Sequence, residues 1–354
     1  MTRLRGVLGV TARVLFCALA IACGATIAAA TTPPAVKPIV VEGLLPTPMV
    51  ESVELASTST STPTSTTTST TTSPSEPRIE TDAPFARSLA NGMVMTGATR
   101  HRLILFTFDD GPDHRYTRHL LDALDRERIR AVFFLAARRF EGSFPRDREL
   151  ASIAQEIVLR GHFVGNHTMD HLQLPLVTNA LLDGQITAAD AVFERVLGER
   201  TFLVRPPGGG RSARVDAWMS ERGYTQMLWN LGTGDFQVRT SDAVLSTFRA
   251  VLEREQNERG VRGGIVLLHD IHSWSVEAFP RIVGWLEDQN CALLDRGEEV
   301  YDFVDDPSLF FVARGDQSPS AEAPFAEPPA EILEARQARA RARAEAHCSD
   351  VAMR

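Results

Sequence analysis

The run Leu103-Ile104-Leu105-Phe106-Thr107-Phe108-Asp109-Asp110-Gly111-Pro112 decides how this chain is read. An apolar stretch of strand length stops at two adjacent carboxylates, and Gly and Pro then force a turn. Neighbouring residues on a strand point to opposite sides. At the strand end the chain swivels, so Asp109 and Asp110 can enter one pocket with different tasks. One carboxylate can hold a cation while the other takes a proton. Taken alone, the run reads better as a solvated Asp-Gly-Pro turn after a buried strand, because such turns are common. What lies downstream separates the two readings.

Beyond Pro112, apolar strands alternate with amphipathic helices. Strands are expected at 131–135, 163–165, 202–204, 225–229 and 265–268, and helices at 116–127, 149–159, 181–197, 213–222, 242–258 and 276–287. Gly161 and Gly223 mark helix ends. Ser241 is placed to cap the helix that follows it, and Ala292–Leu294 reads as a last strand. Alternation of this kind predicts a parallel α/β fold. A (β/α) barrel and a doubly wound sheet fit the pattern equally.

The flanks have a different character. Arg3, Arg5 and Arg13 precede an apolar run that ends in Ala28-Ala29-Ala30, the form of a cleaved export signal over 1–30. Lipid attachment at Cys23 and a retained anchor are the alternatives. Residues 31–95 centre on a Ser/Thr/Pro tract at 57–75, which buries too little apolar area to offset its ordering entropy. It reads as a disordered tether to membrane or wall. Residues 313–354 are polar, and Ile332–Ala346 is Ala, Arg and Glu without an apolar face, a lone helix or a disordered tail. The intervening span, 96–312, is the candidate catalytic domain.

The chain of 354 residues carries a net charge of -8 and is 44% hydrophobic, ample for a core. That mild acidity argues against nucleic acid as the partner, since phosphate binding needs a concentrated basic face. Of the four cysteines, Cys17 and Cys23 fall in the signal. Cys291 and Cys348 either pair, as an oxidising compartment permits, or remain one semi-buried and one tail thiol.

Four further segments carry chemistry. His167 and His171 stand four apart after a short strand, so in a helix they would share a face and converge on one ion. Arg205-Pro206-Pro207-Gly208-Gly209 follows another strand. Its prolines remove two donors, which leaves the Gly208 N–H to support an oxyanion, and Arg205 suits a carboxylate. Asp235 lies in a loop after the strand at 225–229. His269 leaves the apolar run Ile265–Leu268 with the pKa range that acid–base work needs. In parallel α/β folds the C-terminal ends of strands gather on one side, where sites form.

These segments, in this order, resemble the polysaccharide deacetylases of the NodB-homology type, carbohydrate esterase family 4. Thr107-Phe108-Asp109-Asp110-Gly111, His167-Thr168-x-x-His171, Arg205-x-Pro207 and Leu267-Leu268-His269 match the family's motifs as they stand. The resemblance implies a distorted (β/α) barrel. It implies hydrolysis of N-acetyl groups from an N-acetylglucosamine-containing polysaccharide, with peptidoglycan or another envelope glycan preferred and chitin oligomers next. O-deacetylation and a non-catalytic glycan-binding wall protein are the alternatives. Asp110, His167 and His171 would bind a divalent metal, zinc first, with Co2+, Ni2+ or Mn2+ as other candidates. Asp109 would be the base, held by Arg205, and His269 the acid, supported by Asp235. Gly208 would stabilise the oxyanion, and Leu267 and Pro207 would line the acetyl pocket. Gly208, Gly232 and Phe236 depart from the family, which usually has an aromatic residue, an Asp and a Trp there. Export to the periplasm, envelope or medium follows from the N-terminus.

Overall fold

The computed structural model describes residues 89–312 and 325–353. The expected signal, Cys23 and nearly all of the tether lie outside the described residues. Its last few residues do not: Leu89 and Met95 are buried in the domain, and Val94–Met95 forms strand β1.

The strands that follow are β2 (Leu103–Asp109), β3 (Val132–Leu135), β4 (Phe163–Asn166), β5 (Leu203–Val204), β6 (Thr225–Met227), β7 (Leu231–Gly232), β8 (Gly264–His269) and β9 (Asp302–Phe303). They form one sheet in the order β1-β6-β5-β4-β3-β2-β8-β7, with β9 pairing the start of β2. Every named pair is parallel. Helices α1 (Thr117–Glu127), α2 (Pro145–Leu159), α3 (Asn179–Leu197), α4 (Ala213–Glu221), α5 (Ser241–Arg259) and α6 (Ser273–Asp295) alternate with the strands.

Two observations show that the sheet rolls up rather than staying open. β6 lies near one end of the strand order and β7 at the other, yet only residues 228–230 join them. That link spans at most about 14 Å. In addition, Arg205 beyond β5 bonds Thr107 and Asp109 on β2, three strands away. The fold is therefore a distorted (β/α) barrel, the first of the two architectures left open by the alternation.

Period two sorts the side chains. Ile104, Phe106, Phe108, Val266 and Leu268 face outward and pack on the helices. Leu103, Leu105, Phe134, Leu203, Met227 and Ile265 fill the barrel with a smaller cluster. Thr107 and Asp109 continue the inward series toward the C-terminal rim. Strands buried on both faces read as unbroken apolar runs, as Leu103–Phe108 does.

The C-terminal half corrects three expectations. Thr240, not Ser241, caps α5, its hydroxyl accepting from the Ala243 N–H at 3.2 Å. Ala292–Leu294 is no strand but the last turn of α6. Leu286, Asn290 and Leu293 keep the helical period there and are buried. The final helix, α7 (Ala330–Ala352), is neither alone nor without a face. Arg336, Ala340, Ala344 and Cys348 recur every fourth residue. Ala340 and Ala344 are buried. Arg336 reaches Asp302 and lies 2.7 Å from Asp305, Arg343 lies 2.6 Å from Glu287 on α6, and Cys348 pairs with Cys291. A face of Ala, Arg and Cys carries no hydropathy signal.

The Cys291–Cys348 bond closes a loop of 57 residues. Loop-closure entropy assigns such a bond up to about 4 kcal/mol. The C291S/C348S double variant is therefore expected to unfold at a clearly lower denaturant concentration. Its turnover should match the parent's, because Cys291 sits about 27 Å along α6 from the rim end of that helix. Equal midpoints for the parent with and without reductant, under conditions that open the bond, would remove the stabilising role.

Candidate active site at the C-terminal rim

β2, β4, β5, β7 and β8 deliver the candidate side chains to one end of the barrel. Asp109 is the last residue of β2, and the chain turns there because Asp110 adopts φ 72°. Its carboxylate thus leaves the strand direction and meets the β4 loop. Gly111 is required at the next position. A Cβ there would fall 2.3 Å from the carboxylate oxygens of Asp270.

The β4 loop brings its histidines together without a helix. Residues 167–171 are non-helical, and left-handed backbone at Thr168 (φ 69°) and His171 (φ 56°) brings the two imidazoles together. Such conformations cost a β-branched residue of order 1–3 kcal/mol, and a buried network holds them. The Asn166 carboxamide oxygen accepts from the Thr168 N–H at 2.7 Å. Its nitrogen donates to Asp190 at 2.9 Å, and Tyr224 donates to the other oxygen of Asp190 at 2.5 Å. The Thr168 hydroxyl accepts from the His171 N–H.

His167 Nε2 and His171 Nε2 stand 3.4 and 3.3 Å from Asp110 Oδ1. The three donor atoms lie within 4.8 Å of one another. His167 Nδ1 lies 2.7 Å from the Arg205 carbonyl, so Nδ1–H donates there and Nε2 is the ring atom turned toward Asp110. Burial raises the Asp110 carboxyl, but His167, with the charges of His269 and His171, outweighs it and holds Asp110 well below the usual carboxylate range. Burial lowers His171, which favours the neutral imidazole. Two imidazoles and one carboxylate are a donor set that fits a divalent cation with open positions.

Beside this cluster lies a buried ion pair. Arg205 is fully buried, stacks over Phe134 at 4.1 Å and donates to Asp109 Oδ1 at 2.8 Å. Thr107 and the carbonyls of Met227 and Leu228 accept three more of its hydrogens. Asp109 Oδ2 is 3.8 Å from His167 Nε2. Each guanidinium nitrogen thus has a partner, and one carboxylate oxygen is left toward the cluster.

On the opposite side, His269 Nδ1 is 2.9 Å from Asp235 Oδ1 and its Nε2 is 4.0 Å from Asp110 Oδ2. Asp235 is buried and also accepts from the His269 N–H at 2.7 Å and the Ser275 hydroxyl at 2.6 Å. Burial opposes protonation of His269. The hydrogen bond and charge of Asp235, with Asp109 and Asp110, overcome it and push the imidazole up to about 9.

Pro207 is buried and Gly208 is exposed on the turn that follows. Among the described residues the Gly208 N–H has no partner, whereas Gly209 and Gly210 donate to Pro206 and Pro207. Leu267 is buried yet belongs to neither apolar cluster. It lies two residues before His269 and so shares its side of β8. A cleft of about 300 Å³ opens at Asp110 and His171, bordered by Arg138, Arg139 and Ile271. All ten candidate residues thus gather at one rim.

Several contributors went unassigned in the sequence. Asn166 and Asp270 adjoin His167 and His269, a proximity that could have flagged them. Asp270 is fully enclosed, accepts from Thr117 at 2.5 Å, and is pushed up to about 7 by burial. Asp190, Tyr224 and Ser275 carried no signal. Of the remaining histidines, His101 lies 3.1 Å from Glu299 and His347 3.3 Å from Asp288. Burial against Phe133 pushes His162 down to about 4. His272 stacks on Trp274, whose indole N–H donates to the Asp235 carbonyl.

Comparison with known proteins agrees with this geometry. The family profile for polysaccharide deacetylase matches residues 96–227. A peptidoglycan-N-acetylglucosamine deacetylase of Bacillus cereus is 31% identical over 191 residues, covering 53% of this chain and 83% of the relative. The peptidoglycan-N-acetylmuramic acid deacetylase PdaC of Bacillus subtilis is 31% identical over 196 residues, covering 54% of this chain and 38% of the relative. A chitin deacetylase of Pestalotiopsis is 28% identical over 189 residues, covering 53% and 60%. The chain belongs to the polysaccharide deacetylase family and is a deacetylase-type hydrolase.

Proposed function

We propose that residues 96–312 form a metal-dependent catalytic domain that removes N-acetyl groups from an N-acetylglucosamine-containing polysaccharide. Peptidoglycan or another envelope glycan is the preferred substrate and chitin oligomers come next. The observation that carries this reading is the meeting of three ligand atoms at Asp110, His167 and His171 beside two separately supported proton carriers. The peptidoglycan and chitin deacetylases among its relatives support the substrate class.

Asp110, His167 and His171 would hold the cation, zinc by preference. When bound, it supplies Lewis-acid activation of water and of the acetyl carbonyl. Asp109, fixed by Arg205, takes the proton from water as the new C–O bond forms. The Gly208 N–H donates to the carbonyl oxygen as negative charge develops there. His269, its Nδ1–H held by Asp235, gives the Nε2 proton to the departing nitrogen as the C–N bond breaks. Leu267 and Pro207 border the space for the acetyl methyl. Acetate and a free amino sugar result. The Cys291–Cys348 bond supports an oxidising, exported setting, with the N-terminal segment as signal or lipid anchor and tether.

Acetate release from chitooligosaccharides and purified peptidoglycan, with and without chelator, tests the proposal. Release that chelator abolishes and added zinc restores is the expected result. Release only from O-acetylated polysaccharide would move the activity to esters. Binding of glycan without release from any substrate would leave a binding protein.

A further inference from the structure

The site described above uses no group between His171 and α3 on its open side. Gln173 lies there, two residues past His171, and its carbonyl accepts from the Leu176 N–H at 2.9 Å. Its side chain crosses to the turn after Pro207. A Cβ at Gly208 would fall 2.9 Å from Gln173 Nε2, and one at Gly210 would fall 2.8 Å from Gln173 Oε1. The carboxamide therefore lies close against this glycine turn. Gly208 and Gly209 also hold φ 60° and 68°, so a larger residue there would be strained as well as obstructing. Gln173 is exposed, and among the described residues its carboxamide has no hydrogen-bond partner.

The position is informative. The amide bridges the loop carrying His171 and the loop carrying the Gly208 N–H, and both belong to the site of the proposed reaction. A carboxamide presents two donors and one acceptor. Sugar hydroxyls both donate and accept, so this edge suits a hydroxyl of the sugar ring and not an apolar group. We infer that Gln173 is a specificity-determining residue that hydrogen-bonds a hydroxyl of the acetylated sugar at the open side of the site. This rests on the deacetylase reading above.

The test uses the full chain and two variants, Gln173→Ala and the similarly sized, apolar Gln173→Met. Steady-state kinetics on tetra-N-acetylchitotetraose and purified peptidoglycan are paired with calorimetric binding of the tetraose. Both variants are expected to raise KM and Kd about five-fold, the effect of one lost neutral hydrogen bond. Turnover at saturation, metal content and melting temperature should stay at parental values. A Gln173→Met variant with parental KM and Kd would show that only bulk matters and overturn the inference. Loss of metal or of turnover in either variant would do the same, by making Gln173 a support for the His171 loop. A parent that binds the tetraose yet releases no acetate would defeat the deacetylase reading, while the Kd comparison would still decide the role of Gln173. A parent that binds and hydrolyses neither glycan would overturn both.

Discussion

Asp110→Asn is expected to bind zinc at least about 100-fold more weakly than the parent, whereas Asp109→Asn keeps its metal and loses turnover by about 10³-fold. The two residues are adjacent in sequence, but their surroundings divide their work. Asp110 turns away from β2 through a left-handed backbone and faces two imidazole nitrogens at 3.3 and 3.4 Å. An amide at that position keeps an oxygen but not the charge that makes it a ligand. Asp109 instead ends an inward-facing series and pairs with Arg205. Its amide replacement still offers Oδ1 to the guanidinium, which Thr107 and two backbone carbonyls continue to support. The fold should therefore survive, and a melting curve checks it. What disappears is the capacity to accept a proton. Metal analysis after dialysis, read beside acetate release at saturating zinc, separates the two outcomes. Equal metal content and equal turnover in both variants would refute the division of labour.

The sequence displayed this site more fully than it displayed the fold around it. Each candidate residue lies near or just beyond the C-terminal end of a strand, and strand ends are where backbone pairing stops and side chains gain freedom. The alternation that revealed those strands left barrel and open sheet undecided. Closure depends on the three residues between β6 and β7, and on Arg205 reaching across the interior. Neither fact has a periodicity. The His167–His171 spacing would share a face in a helix, but four residues also bridge a turn when two of them adopt positive φ. That conformation is maintained by Asn166, Asp190 and Tyr224, which are far apart in the chain. The C-terminal segment failed for another reason. Arg336, Ala340, Ala344 and Cys348 bury a face through small size, ion pairing and one covalent bond, none of which raises hydrophobicity.

His269→Ala is expected to lose about 10³-fold in turnover while retaining metal, and Asp235→Asn to lose about ten-fold and shift the pH profile. The sign follows from what surrounds the imidazole. Burial disfavours its charged form, and Asp235, with Asp109 and Asp110, reverses this and raises the pKa to about 9. A group that gives a proton works only below its pKa, so it sets the alkaline limb of kcat/KM. Replacing the Asp235 carboxylate weakens the hydrogen bond that is the largest raising influence, removes the charge that comes next, and leaves burial in place. The limb of Asp235→Asn should therefore move to lower pH, whatever occupies Asp110. Asp235 also accepts from the His269 N–H and from Ser275. An asparagine keeps one acceptor oxygen and cannot serve all three donors, so part of the rate loss is positional and independent of pH. The two parts separate in a full profile: the plateau reports orientation, and the limb reports the charge. An alkaline limb that stays in place in Asp235→Asn, with only the plateau lowered, would mean that His269 is not the group whose proton is given. A nearly intact rate in His269→Ala would remove it from the chemistry altogether.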